Sequence, residues 1–458
     1  MPESMHNFPE GEPVDHYTFA DLLGHQESGF KDIDPQKLAK SSPYEVGAFL
    51  ERLEVDDRRT LLRKLSEEKA AEILAEMDAA DSAEVVGAMR ENRAVKILED
   101  LDLDDAADIV SQLKEEDRDR LLQKVKPEIA HAVRKLMTYA PDTAGGVMNP
   151  HIPTVRDNLM IDQAIERVRE LHQEIDDFYD IYVVDFNKKL KGVIFLRDLL
   201  FSDPKKQVKD IMKTDLQGFC YPEQDKETVA LTMAEHNLRE VPIVDRHGHL
   251  LGIVSHDDVL DIIQEEATED IQKLLGAGPD ESIHDRVISS FKKRNPWLFI
   301  NLITAFTAAS VTFHFRNSIE RLPLLAVLMT IIGSLGGNTG AQTLAVAIRG
   351  LALGEFHPGD AFKICLRETW KGLLNGLLIG AASAIIVFIL VWTWQIPLIV
   401  FLSLTLNMAF SGLVGACIPL LLYKFKFDPA QSSYIFLTAF TDIGGLLIFL
   451  SLGSFFLL

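Results

Sequence analysis

Cysteine is scarce in this chain, with three among 458 residues, and these three, Cys220, Cys365 and Cys417, are widely separated in the sequence. Such spacing excludes a disulfide framework or a cysteine metal cluster and indicates reduced thiols in a protein that faces the cytosol. No nucleophile stands out together with a general base, so an enzyme is not expected. The N-terminus also lacks the basic and apolar stretches of a signal sequence, and we expect targeting to depend on later apolar segments.

Positive charge is also in short supply. The chain has 46 Lys and Arg against 68 Asp and Glu, a formal charge of −22. The excess lies in the first 290 residues, which hold 35 basic and 62 acidic side chains, whereas the remainder carries about +5. A region this acidic disfavours nucleic acid and anionic lipid and favours cations or basic partners.

Charge is nearly absent from five apolar runs in the C-terminal part, each long enough to cross roughly 30 Å of hydrocarbon. The runs are Trp297–Phe315, Leu322–Ile348, Gly372–Trp394, Pro397–Tyr423 and Ala430–Leu458. With the acidic region inside, internal segments hold nine Lys or Arg and external loops hold two. This distribution follows the positive-inside rule and predicts a plasma membrane protein with a cytosolic N-terminus and an external C-terminus.

Asp442 is the single charge within these five runs. A carboxylate at bilayer depth costs about 2.5 to 3.5 kcal/mol on insertion scales, so it is rarely present without a function. It could cap or pair with another membrane helix. Because no Lys or Arg lies at mid-span depth in the other runs, a cation from solution is the favoured partner.

The second run contains the glycine-rich segment Gly333–Gln342. Small residues at this density are typical of a close helix interface. The segment is not a phosphate loop, because it lacks the Lys and Ser or Thr that follow such loops. Its polar residues Asn338, Thr339 and Gln342 need partners at this depth, and together with Asp442 they could line a water-filled path.

A twelve-residue repeat follows a loosely ordered lead-in over residues 1–42. Apolar residues recur at every twelfth position from Leu53 to Met137, and most units carry an apolar pair at their ninth and tenth positions. One unit holds a short helix and a turn, and such a helix cannot bury its apolar stripe alone. Stacked units therefore predict a superhelix, which a protein-binding solenoid would also show. The most acidic unit contains Asp102, Asp104, Asp105 and Asp108, of which helix capping explains a part.

A second repeat has a period of sixty residues, because the pattern of Ile181–Asp198 recurs in Val241–Asp258. Each copy predicts helix, strand, turn, strand and helix. The copies resemble a tandem pair of cystathionine-β-synthase-type (CBS) modules, which bind adenosyl ligands or metal between the copies. Modules that grip a ribose carry Thr or Ser three residues before an Asp, as Ser255 precedes Asp258. The first copy has Phe195 there, so the resemblance implies at most one adenine-nucleotide site.

Seven acidic residues follow on one predicted helix. Asp258, Asp261 and Glu265 share one face, where like charges destabilise a helix by a few tenths of a kcal/mol per pair. A bound metal ion would relieve the repulsion, although a solvated acidic face is common. After a break at Gly276–Pro279, the segment Asp280–Arg294 predicts a polar connector helix at the membrane surface.

These features together resemble the MgtE-type magnesium channels. The most specific motifs are Ser334-Leu-Gly-Gly-Asn-Thr-Gly-Ala-Gln342, Ile348-Arg-Gly-Leu-Ala-Leu353, Phe427-Asp-Pro-Ala430 and Phe440-Thr-Asp-Ile-Gly-Gly-Leu-Leu-Ile-Phe449. The resemblance implies a homodimer with a pore built from spans two and five. The pore residues of the family match Asp442, Asn338 and Asp428. Its magnesium-sensing acids match Asp104, Asp108, Asp258, Asp261, Glu269 and Asp270. One departure is Thr330, where members often have Pro before the glycine-rich segment, which puts a local helix bend in doubt.

The expected fold class is a multidomain membrane protein. It comprises an all-α superhelical N-terminal domain over residues 43–140, α+β tandem CBS domains over 141–270, a connector helix over 271–295 and a five-helix transmembrane domain over 296–458. The resemblance implies a Mg²⁺ channel for uptake, closed by internal Mg²⁺, with membrane lipid and a second copy as partners. An ion-coupled exporter would need further ionisable residues at mid-span. A membrane-tethered nucleotide sensor would leave Asp442 without a purpose.

Overall fold

The structure is a computed structural model that describes residues 16–25, 30, 32–171, 180–216, 218–278, 281, 287–352, 355, 358–430 and 433–457. The chain divides into two compact units, Met1–Gln264 and Glu265–Leu458, and each is described by itself. Residues 1–15, 26–29 and 31 of the predicted lead-in lie outside the described residues. So do residues 279, 280 and 282–286 of the predicted connector.

In the described part of the first unit, ten short helices come first. They are α1 (Phe19–Gly24), α2 (Pro35–Lys40), α3 (Pro43–Leu50), α4 (Val55–Leu62), α5 (Glu67–Ala75), α6 (Ala79–Ala88), α7 (Glu91–Asp100), α8 (Leu103–Gln112), α9 (Glu115–Leu122) and α10 (Pro127–Leu136). From α3 onward, each helix packs against the helix two places along the chain. The apolar pairs of the repeat are buried, including Leu61 and Leu62. The predicted superhelix is therefore confirmed.

The structure differs from the prediction in the described part of the lead-in, which is helical. Thr18 and Asp21 form a capping box at the start of α1, and the Asp34 side chain accepts from the backbone N–H of Gln36 at the start of α2. Leu22 and Leu38 are buried in the same apolar core as the repeat. Local capping thus fixes two short helices that show no twelve-residue pattern.

Two small sheets form the predicted CBS pair. The elements are β1 (Thr154–Arg156), α11 (Ile161–Leu171), β2 (Asp180–Val184), β3 (Leu190–Phe195), α12 (Leu196–Leu200), α13 (Lys226–His236), β4 (Glu240–Val244), β5 (Leu250–Ser255) and α14 (His256–Leu275). Strand β2 pairs with parallel β1 and antiparallel β3, and β4 pairs with antiparallel β5. The ladder shifts register at Val183 in one copy and at Ile243 in the other, sixty residues apart. This matched irregularity confirms the internal duplication.

Among the residues that the structure describes, five long apolar helices dominate the second unit, and all five have the length and composition to cross a membrane. The long helices are α15 (Val287–His314), α17 (Leu324–Ala352), α18 (Ala361–Val391), α19 (Gln395–Lys424) and α20 (Ser433–Leu457). The short α16 (Arg316–Arg321) lies between α15 and α17 in the chain. The five predicted spans are thereby confirmed. The predicted boundary between connector and membrane domain, at residue 295, falls inside α15, which continues through Pro296 without a break.

Glycine allows α18 and α19 to pack backbone against backbone. A Cβ atom at Gly372 would overlap the carbonyl oxygen of Met408, and one at Gly376 would lie 2.7 Å from the Cα of Thr405. The same close packing brings together two thiols that are far apart in the sequence, because the Sγ atoms of Cys365 and Cys417 are 2.9 Å apart. Both remain free thiols, and Cys220 is buried separately in the first unit.

Candidate functional site

Acidic side chains from two helices meet in the first unit. Asp102 occupies the N-cap position of α8 without a side-chain capping bond, and Asp104 and Asp105 lie in the first turn. Asp257 and Asp258 occupy the first turn of α14. Negative charge is stabilised at helix N-termini, which is why each local sequence begins its helix with aspartates. The fold then brings these two acidic turns close together, and no local signal requires that.

Burial and repulsion act together on this acidic cluster. Burial raises the pKa of Asp104 well above its usual range, and the charges of Asp105, Asp258 and Asp102 raise it further. Burial also raises the pKa of Asp105 to about 8, with carboxylates again as the charged neighbours. The Oδ1 atom of Asp104 is buried and accepts no hydrogen bond from the described residues. An all-carboxylate set with an open buried oxygen fits a hard divalent cation such as Mg²⁺.

The cluster extends beyond the predicted ligands. The charge of Asp108 contributes to the raised pKa of Asp105. Burial raises the pKa of Glu76, and the charges of Asp261 and Asp257 raise it further. Glu265 is exposed farther along α14. Among the described residues, no three His, Cys, Asp or Glu side chains already surround a common point at metal-binding distances. The carboxylates are thus neighbours that would have to close around an ion.

The predicted nucleotide pair has a structural role. The Ser255 hydroxyl and backbone N–H both donate to Asp258 Oδ2, and the backbone N–H of Asp258 points back to Ser255 Oγ. This reciprocal pairing at the start of α14 is a helix-capping arrangement. These bonds engage both side chains that were predicted to grip a ribose, and the nucleotide site stays a prediction.

A lysine lies among the second group of predicted acidic ligands, which are Glu269, Asp270 and Asp428. Lys273 Nζ lies 2.5 Å from Glu269 Oε1 and 2.9 Å from Asp428 Oδ2. Burial opposes the charge of this lysine, but the two hydrogen-bonded carboxylates raise the pKa of Lys273. Burial and the charge of Asp428 raise the pKa of Asp270 beside them. The sequence prediction named the three acids and missed the ammonium group that Glu269 and Asp428 share.

The membrane helices present two predicted residues on the surface of the unit. Asp442 of α20 and Asn338 of α17 are both exposed. A Cβ atom at Gly333 would lie 4.0 Å from Asp442 Oδ1, and a Cβ atom at Gly337 would meet nothing within 4 Å. Asp442 also lines a cavity of about 680 Å³ between α15 and α20, together with Arg294 and Asn301. The carboxylate therefore faces open space beside a glycine surface.

Helix α17 runs through Gly333–Gln342 without interruption. One residue of this glycine-rich segment differs from the prediction. Thr339 is buried and donates to the carbonyl oxygen of Leu335 at 2.9 Å. Thr339 is therefore satisfied within its own helix and does not belong to the exposed polar surface, which Asn338 and Gln342 share.

A polar stripe on α19 was not predicted. Ser403, Asn407 and Ser411 are fully buried, and each has a side-chain oxygen that accepts no hydrogen bond from the described residues. The spacing of four residues places all three on one helix face. This spacing inside the fourth apolar run was the available sequence signal.

Comparison with known proteins identifies the family. The model for the MgtE divalent cation transporter matches residues 329–452, that for the MgtE intracellular N domain matches 41–142, and the CBS domain matches 144–204 and 208–265. The magnesium transporter MgtE of Thermus thermophilus is 34% identical over 343 residues, which cover 74% of this chain and 75% of that protein. This chain belongs to the MgtE family. The magnesium transporter MgtE of Enterococcus faecalis is 31% identical over 334 residues, 72% of either chain.

One solved structure is similar to about half of this MgtE-family chain. The crystal structure of the cytosolic domain of the Mg²⁺ channel MgtE in complex with ATP is 33% identical, covers 53% of this chain and 99% of its own, and has a TM-score of 0.48. Family membership confirms the predicted fold class of helical N domain, CBS pair and membrane helices. The MgtE family is a class of transporters and not of enzymes. The residue-level sites stay predictions.

The acidic cluster of this MgtE-family chain generates a stability prediction. When folding raises the pKa of a carboxyl, the folded protein loses stability as pH rises from the ordinary pKa of that group, about 4, towards its folded pKa. For Asp105 that value is about 8. We therefore expect Asp105→Asn to raise the melting temperature in chelator at pH 8 by about 2 to 5 °C, and by less at pH 5.

Thermal melting of the full-length protein, followed by circular dichroism, measures this effect. Asp117→Asn is the matched control, because Asp117 lies in the adjacent helix α9 and pairs with Arg120 at 2.6 Å. A melting temperature at pH 8 that is unchanged or lowered by Asp105→Asn would contradict the account of repulsion.

Proposed function

We propose that this chain forms a Mg²⁺-selective channel for magnesium uptake across the plasma membrane, closed by internal Mg²⁺ at its acidic cytosolic sites. The observation that carries the proposal is Asp442, an exposed carboxylate on a membrane-spanning helix beside the glycine surface of α17. Two relatives at 31 to 34% identity are named magnesium transporters, which supports Mg²⁺ as the ion. The exporter and the transport-free sensor are not favoured.

The homodimer is part of this proposal. A carboxylate facing lipid would be costly, and so would the exposed amide of Asn338. A second copy that covers the surface formed by α17 and α20 would enclose both side chains in an aqueous path. Two facing Asp442 carboxylates would repel each other until a divalent ion entered between them. Nine internal against two external basic residues support a cytosolic N-terminus and an external C-terminus.

Selectivity would then depend on hydration. Mg²⁺ gives up water reluctantly and demands six oxygens at close octahedral distances. A pore that passes the ion rapidly should hold it with most of its water, and carboxylate and amide oxygens at hydrogen-bond distance from that water suit the task. Asp442 and Asn338 would supply those oxygens, together with Asp428, which precedes the start of α20.

Closure would use the repulsion in the cytosolic sites. The acidic cluster around Asp104, Asp105 and Asp258 favours separation of its helices when no cation is present. Mg²⁺ bound by the compact arrangement would shift the equilibrium towards it, because a ligand stabilises the state that it binds more tightly. Asp108, Asp261, Glu269 and Asp270 would contribute to the same response.

An adenine nucleotide at the CBS pair is a separate proposal, and we place it away from Ser255. A cavity of about 540 Å³ in the first unit is lined by apolar residues that include Met148 and Ile152. Lys135 and Lys188 also line it, and no carboxylate is among its lining residues. These two lysines suit phosphate, whereas the acidic surroundings of Asp258 do not.

Uptake measurements test the pore. We expect Asp442→Asn to abolish Mg²⁺ uptake into reconstituted vesicles, because removing the charge leaves the ion without its counter-charge at bilayer depth. Asp360→Asn is the control, since Asp360 is an acid next to the start of α18 that pairs with Lys363 at 3.1 Å. Uptake by Asp442→Asn at the level of the control would refute the pore assignment.

Inhibition by internal Mg²⁺ tests the regulatory sites with two variants of opposite sign. Lys273→Gln removes a tethered competitor from Glu269 and Asp428, so inhibition should move to Mg²⁺ concentrations about threefold to fivefold lower. Asp258→Asn with Glu269→Gln weakens ligand sites, so inhibition should move to higher concentrations with maximal flux roughly intact. Single-channel or vesicle recordings decide, and unshifted curves for both variants would indicate a constitutive pore.

Nucleotide binding is tested by the effect of ATP on thermal melting. We expect ATP to stabilise the full-length protein. Lys188→Glu should raise the ATP concentration needed for the same stabilisation about tenfold, because a charge reversal in the cavity lining repels phosphate. Ser255→Ala should bind ATP like the unchanged protein. The opposite ranking of the two variants would return the site to Ser255.

A further inference from the structure

Asn407 is a buried amide in the middle of a membrane-spanning helix. It lies in α19 with no exposed surface, and its Nδ2 donates to the carbonyl oxygen of Ile332 in α17 at 2.9 Å. Its Oδ1 is also buried and accepts no hydrogen bond from the described residues. A polar atom without a partner is costly at this depth, so apolar packing alone does not account for the residue.

The amide fits into a space that two glycines create. A Cβ atom at Gly336 of α17 would overlap Asn407 Nδ2. A Cβ atom at Gly445 of α20 would lie 2.9 Å from both Nδ2 and Oδ1. Helices α17 and α20 therefore both approach this one side chain of α19 through glycine, and Asn407 fills the junction of three helices.

The contacts of Asn407 lie directly behind the surface that carries Asp442. Ile332, whose carbonyl oxygen accepts the hydrogen bond, precedes Gly333, and a Cβ atom at Gly333 would lie 4.0 Å from Asp442 Oδ1. Gly445 follows Asp442 by less than one helical turn. One side chain thus contacts α17 and α20 at the level where Gly333 and Asp442 face each other.

We propose that Asn407 is a positioning residue for the passage of Mg²⁺. Its hydrogen bond holds α17 at Ile332, and its volume holds α20 at Gly445, so the amide sets the separation of Gly333 and Asp442. The inference rests on the proposed function, since it takes the surface formed by Gly333 and Asp442 as one wall of the ion path. A hydrated divalent ion is sensitive to the width of such a path, because the oxygens contact its water shell.

The neighbouring stripe residues provide matched controls. Ser403 and Ser411 lie one turn before and after Asn407 and are equally buried. A hydroxyl in a helix can turn towards the carbonyl four residues earlier, as Thr405 does in donating to Phe401 at 2.8 Å. The longer amide of Asn407 instead reaches α17. Only Asn407 of the three makes a hydrogen bond to α17 among the described residues.

The test variant is Asn407→Thr in the full-length protein. Threonine is close to asparagine in volume, and its hydroxyl is expected to bond within α19, so the link to Ile332 is lost without a large cavity. Vesicle uptake gives maximal Mg²⁺ flux, half-saturating Mg²⁺ and the ratio of Mg²⁺ to Ca²⁺ flux, and thermal melting in detergent reports folding. We expect a melting temperature near that of the unchanged protein, a maximal flux about tenfold lower and a lower Mg²⁺ to Ca²⁺ ratio. Ser411→Ala should leave all four values unchanged.

A second pair of variants covers a folding defect. Gly336→Ala alone should damage folding, because its Cβ atom overlaps the amide. Combined with Asn407→Ala, the alanine has space, so the double variant should fold while the flux ratio stays low.

Unchanged flux and ratio in Asn407→Thr or in the folded double variant, with Asp442→Asn still inactive, overturn this inference alone. Uptake by Asp442→Asn would overturn the proposed function and this inference with it. Equal losses in Ser411→Ala and Asn407→Thr would also overturn the inference, because they would indicate a general packing effect.

Discussion

Repulsion between carboxylates that the fold brings together is the constraint on which the first unit depends. Each aspartate is favourable where its own helix begins, yet the two helix starts that carry Asp104 and Asp258 lie close together, and burial raises the pKa of Asp105 to about 8. Protons or an external cation would offset this repulsion. In the second unit, the ammonium group of Lys273 offsets the negative charge of Asp428 and Glu269. The two cases differ, because only the first would respond directly to the concentration of an ion in solution.

The membrane helices place polar groups on opposite sides of a glycine-rich wall. Asp442 projects outward beside Gly333, whereas Asn407 projects into the unit and contacts Gly336 and Gly445. Glycine permits this because it removes the side chain that would otherwise separate the helix backbones. The two polar groups therefore lie on opposite sides of α17 and α20. A change in packing on the inner side would reach the outer side through these two helices.

Sequence patterns predicted the elements well where one local rule decides the outcome. The twelve-residue period, the sixty-residue duplication and the five apolar runs each follow from periodicity or length alone. The placement of Thr339 failed because exposure depends on the rotation of α17 within its bundle, which the pattern does not encode. The contact between Cys365 and Cys417, and the pairing of Lys273 with Asp428, join residues far apart in the chain through helix packing. The sequence named acidic residues as candidate ligands, while their grouping around Asp105 required the tertiary structure.

The helical repeat has a consequence for how such a domain changes length. Each helix packs on the helix two places along, so successive helices alternate between two layers. An insertion of a few residues inside a helix would turn its apolar pair away from the core, and an insertion of one whole unit would exchange the layers beyond it. Two units, twenty-four residues, is the smallest whole-unit insertion that restores the layer. Whole-unit changes in the length of this domain should therefore come in steps of that size, and the acidic turn at Asp104 would keep its position within its own helix.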